Sequence, residues 1–250
     1  MLRNKFVAFI AFAGFMFANA PANAHFPVSL SAQDRSLTSS KVLVDGSISY
    51  AVTANFSKAN QTRFFRFTLD ESSPLNIEYL IVDTAPTNRL KRALLPEVSL
   101  TTPAGKRIAL TPKERTAFYE PYGKRNYFYL ARYSAAGQAG VYSVTVRSKS
   151  KSSAVIAVGR SEVPGEVLQI GVANRQCPVF VKDETEISQS RANQLIGMSE
   201  KAAMACAQVN KWRFRVGQRD GESFGLTMDY LTNRVTVSVE SDSITEVNVG

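Results

Sequence analysis

Histidine is almost missing from this chain. His25 is the only one in 250 residues, which excludes catalytic designs with a separate histidine base and excludes histidine-rich metal sites. Cysteine is nearly as scarce. Cys177 and Cys206 are the only two, too few for a disulfide-dense mini-protein or a four-cysteine zinc site. Glycine (14) and proline (10) are too few for a low-complexity linker protein. No apolar run reaches the ~20 residues that a bilayer-spanning helix needs. What remains is ordinary globular composition, 44% hydrophobic and 20% charged, with length enough for one large domain or two small ones.

The longest apolar run, Phe6 to Phe17, follows Arg3 and Lys5 and precedes Ala22-Asn23-Ala24. A positive start, a short apolar stretch and a small-residue site together read as a signal peptide over residues 1–24, cleaved between Ala24 and His25. Cleavage after Ala18-Asn19-Ala20 would leave Pro21 at the new N-terminus and is the poorer choice. The expectation is a secreted or periplasmic protein. His25, with no second histidine to complete a copper site, is read as incidental.

Charge is unevenly distributed. Residues 25–165 hold 19 basic and 10 acidic side chains, whereas residues 166–250 hold 9 and 11. Outside a cell, the partners of the basic first part are anionic envelope surfaces such as lipid headgroups or wall polymers, and no nucleic acid is expected. The alternative is a basic surface kept for solubility.

Residues 25–165 read as all-β. Gln61 to Leu69 puts Phe65, Phe67 and Leu69 on one face, and Leu75 to Asp83 puts Leu75, Ile77, Tyr79 and Ile81 on one face. Ile48 to Asn55, Val98 to Leu100 and Arg107 to Leu110 follow suit, with a turn at Pro103-Ala104-Gly105. Tyr127 to Tyr133 and Val141 to Arg147 are expected to form a hairpin. Short strands at this spacing predict a jelly-roll-like β-sandwich. The paired phenylalanines of Phe64 to Phe67, the Thr102-Pro103-Ala104-Gly105 turn and Gly140-Val141-Tyr142-Ser143-Val144 resemble the bacterial pre-peptidase C-terminal domains. That resemblance implies an accessory, non-catalytic module. Tyr119, Tyr122, Tyr127, Tyr129 and Tyr133 offer a sugar-stacking platform; the competing reading is half-buried strand tyrosines.

After a connector over residues 166–190 the pattern changes. Ser199 is a helix N-cap candidate, and Ala202, Ala203, Cys206 and Ala207 form a narrow apolar face. Trp212, Phe214 and Val216 alternate with Arg213 and Arg215, and Val235, Val237 and Val239 alternate with Arg234, Thr236 and Ser238. Both patterns are half-buried strands. In an exported chain Cys177 and Cys206 permit one intramolecular bridge, the alternative being two buried free thiols.

Over residues 191–250 several dispersed pieces keep one order: Leu195-Ile196-Gly197-Met198-Ser199 with Ala202, then Thr227-Met228-Asp229-Tyr230, then Asn233-Arg234-Val235, then Val249-Gly250. Together they resemble the potato inhibitor I superfamily of serine protease inhibitors, most nearly the elastase-inhibitor family of fungi and bacteria. The resemblance implies a small α+β domain, one helix on a short sheet, that presents Leu226, Thr227, Met228, Asp229 and Tyr230 as a reactive-site loop. It implies no enzyme, no cofactor and no metal. The scissile bond would be Met228–Asp229, and the partner a subtilisin-, chymotrypsin- or elastase-like protease, since methionine is long, unbranched and uncharged. Arg234, Asn233 and Gly250 would support the loop, with Arg234 forking onto Asp229 and Thr227.

The chain also departs from that family. A second supporting arginine is replaced by Thr236, a position that Arg213 or Arg215 would have to serve. Gly217 to Phe224 lengthens the approach to the loop, and Val249-Gly250 stands where the elastase-inhibitor relatives have Cys-Gly. The first two departures predict a looser loop. The competing reading is a glycan- or envelope-binding sandwich followed by a non-inhibitory scaffold.

Overall fold

The computed structural model describes residues 25–169 and 176–250; the leader read over residues 1–24 lies outside them. Twelve strands build two sheets of six. The first contains β1 (Phe26–Leu30), β3 (Tyr50–Phe56), β5 (Leu75–Val82), β8 (Thr116–Glu120), β9 (Arg125–Ala135) and β11 (Ser152–Val158), in the order β1-β3-β11-β5-β9-β8. The second contains β2 (Lys41–Leu43), β4 (Thr62–Leu69), β6 (Glu97–Thr101), β7 (Arg107–Ala109), β10 (Gly140–Arg147) and β12 (Val167–Gln169), in the order β12-β2-β4-β10-β6-β7.

These sheets close on one core, as a β-sandwich does. The alternating apolar residues meet there: Val52, Ile77, Tyr79, Ile81 and Ile156 from the first sheet, and Phe65, Phe67, Leu100, Val144 and Val146 from the second. Phe67 stacks on Tyr142 with ring centroids 4.9 Å apart. The Thr102–Gly105 turn joins β6 to β7, with Gly105 at positive φ.

The expected hairpin of Tyr127–Tyr133 with Val141–Arg147 does not form. β9 pairs with β5 and β8 in the first sheet, whereas β10 pairs with β4 and β6 in the second. Their connection crosses from one sheet to the other. Gly137 makes this possible, because it passes so close to the Ser73 carbonyl that a Cβ has no room. Alternation told which face of each strand is buried, and both strands bury theirs in the same core from opposite sides.

Beyond β12 the chain forms a short helix α1 (Gln189–Ala192), a ten-residue helix α2 (Glu200–Val209) and a third sheet. That sheet contains β13 (Arg213–Arg219), β14 (Glu222–Ser223), β15 (Arg234–Glu240) and β16 (Ser243–Val249), in the order β14-β13-β15-β16. Ser199 caps α2, its Oγ accepting from the Ala202 N–H at 3.2 Å. Ala202, Ala203, Cys206 and Ala207 are buried against Val235, Val237, Val239 and Ile244 in one cluster. A disulfide joins Cys177 to Cys206.

This second cluster also contains Val42, Val44 and Leu168 from β2, its flank and β12. Ser199 Oγ donates to Glu166 at 2.9 Å and Lys201 pairs with Asp45 at 3.2 Å, so the start of α2 is tied to the sandwich. Within the range read as a connector, 166–190, the structure therefore has a sandwich strand, β12, and a disulfide partner of α2. β12 is only three residues long, too short to betray its alternation.

Candidate functional site

The expected loop lies between two strands that are neighbours in one sheet. β13 runs parallel to β15 in a register that sets Arg213 beside Arg234 and Arg215 beside Thr236. Because Phe214, Val216, Val235 and Val237 turn toward α2, these four residues share the opposite face. The Gly217 to Phe224 stretch is ordered as a hairpin of β13 with β14. Asp220 and Gly221 both have positive φ, as a two-residue turn of the I′ kind requires. The expected loosening at this stretch is thus met by local pairing, and the Phe224 N–H also donates to the Gly217 carbonyl at 2.9 Å.

Residues 224–233 then cross from β14 to β15. Leu226, Met228 and Tyr230 are all exposed there, and Met228 is wholly so at 101%. Beneath them Arg234 is only 6% exposed. Its Nη1 donates to Asp229 Oδ2 at 3.0 Å, its Nη2 donates to the Asp229 main-chain oxygen, and its Nε donates to the Gly250 oxygen at 2.9 Å. The Thr227 hydroxyl donates to the other carboxylate oxygen of Asp229. This hydroxyl first, and Arg234 second, hold the Asp229 carboxyl below the usual carboxylate range.

Arg215 is the second arginine under the loop; Arg213 is exposed and its side chain makes no hydrogen bond among the described residues. Arg215 donates to Thr236 Oγ1 at 2.9 and 3.1 Å, to Thr227 Oγ1 at 3.3 Å and to the Gly250 oxygen at 3.3 Å. Thr236 completes the set by donating to the same Gly250 oxygen at 2.9 Å. Three side chains thus converge on Gly250, whose N–H in turn donates to the Arg234 carbonyl. Gly250 itself has φ +133, and a Cβ there would stand 2.6 Å from the Tyr230 ring. Glycine is what lets the ring lie over the backbone.

Asn233 differs from its expected part. Among the described residues its side chain makes no hydrogen bond to the loop, and it contributes only a main-chain carbonyl to the Arg213 N–H. Thr232 anchors the far end of the loop instead. Its hydroxyl donates to the Thr185 carbonyl at 2.9 Å and its own carbonyl accepts from the Ile187 N–H at 2.8 Å. Sequence reasoning missed this anchor because residues 185 and 187 carry no pattern of their own.

No protein-family model matches the chain, and no curated protein matches it.

The tyrosines of the sandwich divide between faces. Tyr122, Tyr127 and Tyr129 line a cleft of about 350 Å³ with Phe118, Glu78 and His25, over the outer face of the first sheet. Tyr133 packs on the sandwich core instead, and Tyr119 is exposed. A bulge in the pairing of β5 with β9 puts Tyr133 on the face opposite Tyr127 and Tyr129, so no single five-tyrosine platform exists. His25 sits beside Ser49, its Nδ1 hydrogen-bonded to the hydroxyl. Among the described residues, no helix is long and apolar enough to cross a membrane.

Proposed function

We propose that this chain is an exported serine protease inhibitor of the potato inhibitor I type. A β-sandwich carries a small α+β domain whose loop is bound as a substrate across Met228–Asp229. The observation that carries this reading is the contrast at that bond. Met228 is wholly in solvent, while the next residue is gripped at both carboxylate and carbonyl by a buried arginine.

The chemistry follows from that contrast. A protease that seats Met228 in its primary pocket attacks the Met228 carbonyl, and the Asp229 nitrogen is the leaving amine. In a loose peptide this amine diffuses away and water completes hydrolysis. Here Arg234 holds the residue that bears it, so the amine stays near the acyl carbon and re-forms the bond. Ordering cost is met by the fold before the protease arrives, which favours tight binding. Arg215, seated on Thr236, stands in for the family's second arginine by reaching Thr227 and Gly250 from the neighbouring strand.

The disulfide between Cys177 and Cys206 accords with export. The test is an inhibition panel with the full mature chain against subtilisin-, chymotrypsin-, elastase- and trypsin-type enzymes. Inhibition of at least one of the first three at micromolar protein is the expected result. Inhibition of none overturns the reading.

A further inference from the structure

A cavity of about 670 Å³ lies between the outer face of the second sheet and the end of α2. β4 turns Phe65 and Phe67 into the sandwich core, so Arg66 between them faces this cavity. Arg66 is 6% exposed and forms no ion pair among the described residues. Its Nη2 donates to the Leu37 carbonyl at 2.7 Å, but its buried Nε has no hydrogen-bond partner. Desolvation pulls the guanidinium down to about 10, which still leaves it charged at neutral pH.

A buried cation without a counter-charge is costly, and an anion that seats beside it removes much of that cost. Among the described residues, Lys211 is the second cation lining the cavity, and no aspartate or glutamate lines it. Gln208 lines it too, and its buried Oε1 lacks a partner among the described residues, so it can accept a hydrogen bond, for which an amide N–H is one suitable donor. Val141, Val209 and Trp212 supply an apolar part of the wall, and Thr38 and Ser143 lie beside them. We propose that this cavity binds an apolar amino-acid residue with a free carboxylate and an acylated nitrogen, either a single N-acyl amino acid or the end of a peptide. The carboxylate takes Arg66 and Lys211, the N–H takes Gln208, and the side chain lies against Val141 and Trp212. The volume falls in the range of small-ligand pockets. This site is separate from the loop and does not depend on protease inhibition.

Trp212 is the only tryptophan of the chain, so its fluorescence reports occupancy directly. The full mature chain should show a saturable change with N-acetylphenylalanine. N-acetylphenylalaninamide, in which a neutral carboxamide replaces the carboxylate, should bind at least about tenfold more weakly. Tetrapeptide Ala-Ala-Ala-Phe separates the sources: tighter binding than N-acetylphenylalanine assigns a peptide end, and equal binding assigns the single residue. Arg66→Met should abolish the response. Should that buried substitution prevent folding, exposed Lys211→Glu keeps the proposal testable and should weaken binding roughly threefold or more. No saturable response, equal binding of acid and amide, or unchanged binding by Lys211→Glu overturns it.

Discussion

Arg234 and Asp229 are joined twice, once through the carboxylate at 3.0 Å and once through the main-chain oxygen. The first contact fixes a side chain and the second fixes the backbone itself. They lie five positions apart in sequence, and the burial of Arg234 keeps its guanidinium from following a loop that moves.

Arg234→Ala should therefore turn an inhibitor into a substrate. Loss of hydrogen bonds to charged groups predicts at least a ~tenfold rise in the inhibition constant. Electrophoresis over time should show Met228–Asp229 hydrolysed by an enzyme that the parent protein blocks. An unchanged inhibition constant would remove Arg234 from the mechanism.

Arg215 acts partly through the Thr236 hydroxyl, which it contacts twice. Thr236→Val and Arg215→Ala should both weaken inhibition, and the double variant should be weaker by less than the sum of the two. A coupling of about 0.5 kcal/mol or more in a double-mutant cycle is expected for groups in contact. Strict additivity would show that the two side chains support the loop independently.

Met228→Lys should redirect the inhibitor toward trypsin-like enzymes, whose pocket carries a carboxylate. Since the Met228 side chain touches solvent alone, folding stability should stay within about 0.5 kcal/mol of the parent. Paired inhibition and chemical-denaturation measurements separate recognition from folding. Retained potency against the original target, with none gained against trypsin, would move the specificity residue elsewhere.

The Asp229 carboxyl is held below its ordinary value by Thr227 and then by Arg234. Its contribution to the folded loop is thus complete above the unfolded carboxyl value of ~3.9 and disappears as pH falls through the lower folded value. A carboxyl NMR titration should give a midpoint below ~3.9, and Thr227→Val and Arg234→Ala should each raise it. Between neutral and mildly acidic pH the inhibitor's side of the interaction should not change. A midpoint at or above the ordinary value contradicts the hydrogen-bonded carboxylate.

The Cys177–Cys206 bridge spans 29 positions of sequence. Replacing both cysteines by alanine should cost roughly 3–4 kcal/mol in the chain-entropy account. Denaturant midpoints of the parent and the double variant measure it directly. Equal midpoints would show that the unfolded chain gains nothing from release of that crosslink.

Much of the fold was legible because burial has a period. Phe65 and Phe67, or Val235, Val237 and Val239, announce their strands, and Ser199 announces its helix. Pairing is not local, and there the reading failed: β9 and β10 look like a hairpin until their partners are known. The candidate site divides in the same way. Arg234 was legible from the family resemblance together with its alternation with buried valines, whereas the choice of Arg215 over Arg213 depended on a parallel register that no single strand encodes. Thr232 and Thr185 meet across 47 positions, beyond any spacing argument.

Val42, Val44 and Leu168 bury their side chains among the alanines of α2 rather than with the rest of the sandwich. The boundary drawn near residue 165 is therefore a seam in composition and not in energy. Excising the last third would strip a hydrophobic face from each piece, and either fragment would be prone to self-associate. The helix behind the loop's sheet rests on Val42 and Val44, more than a hundred residues upstream, and heat should dismantle scaffold and loop in a single cooperative step.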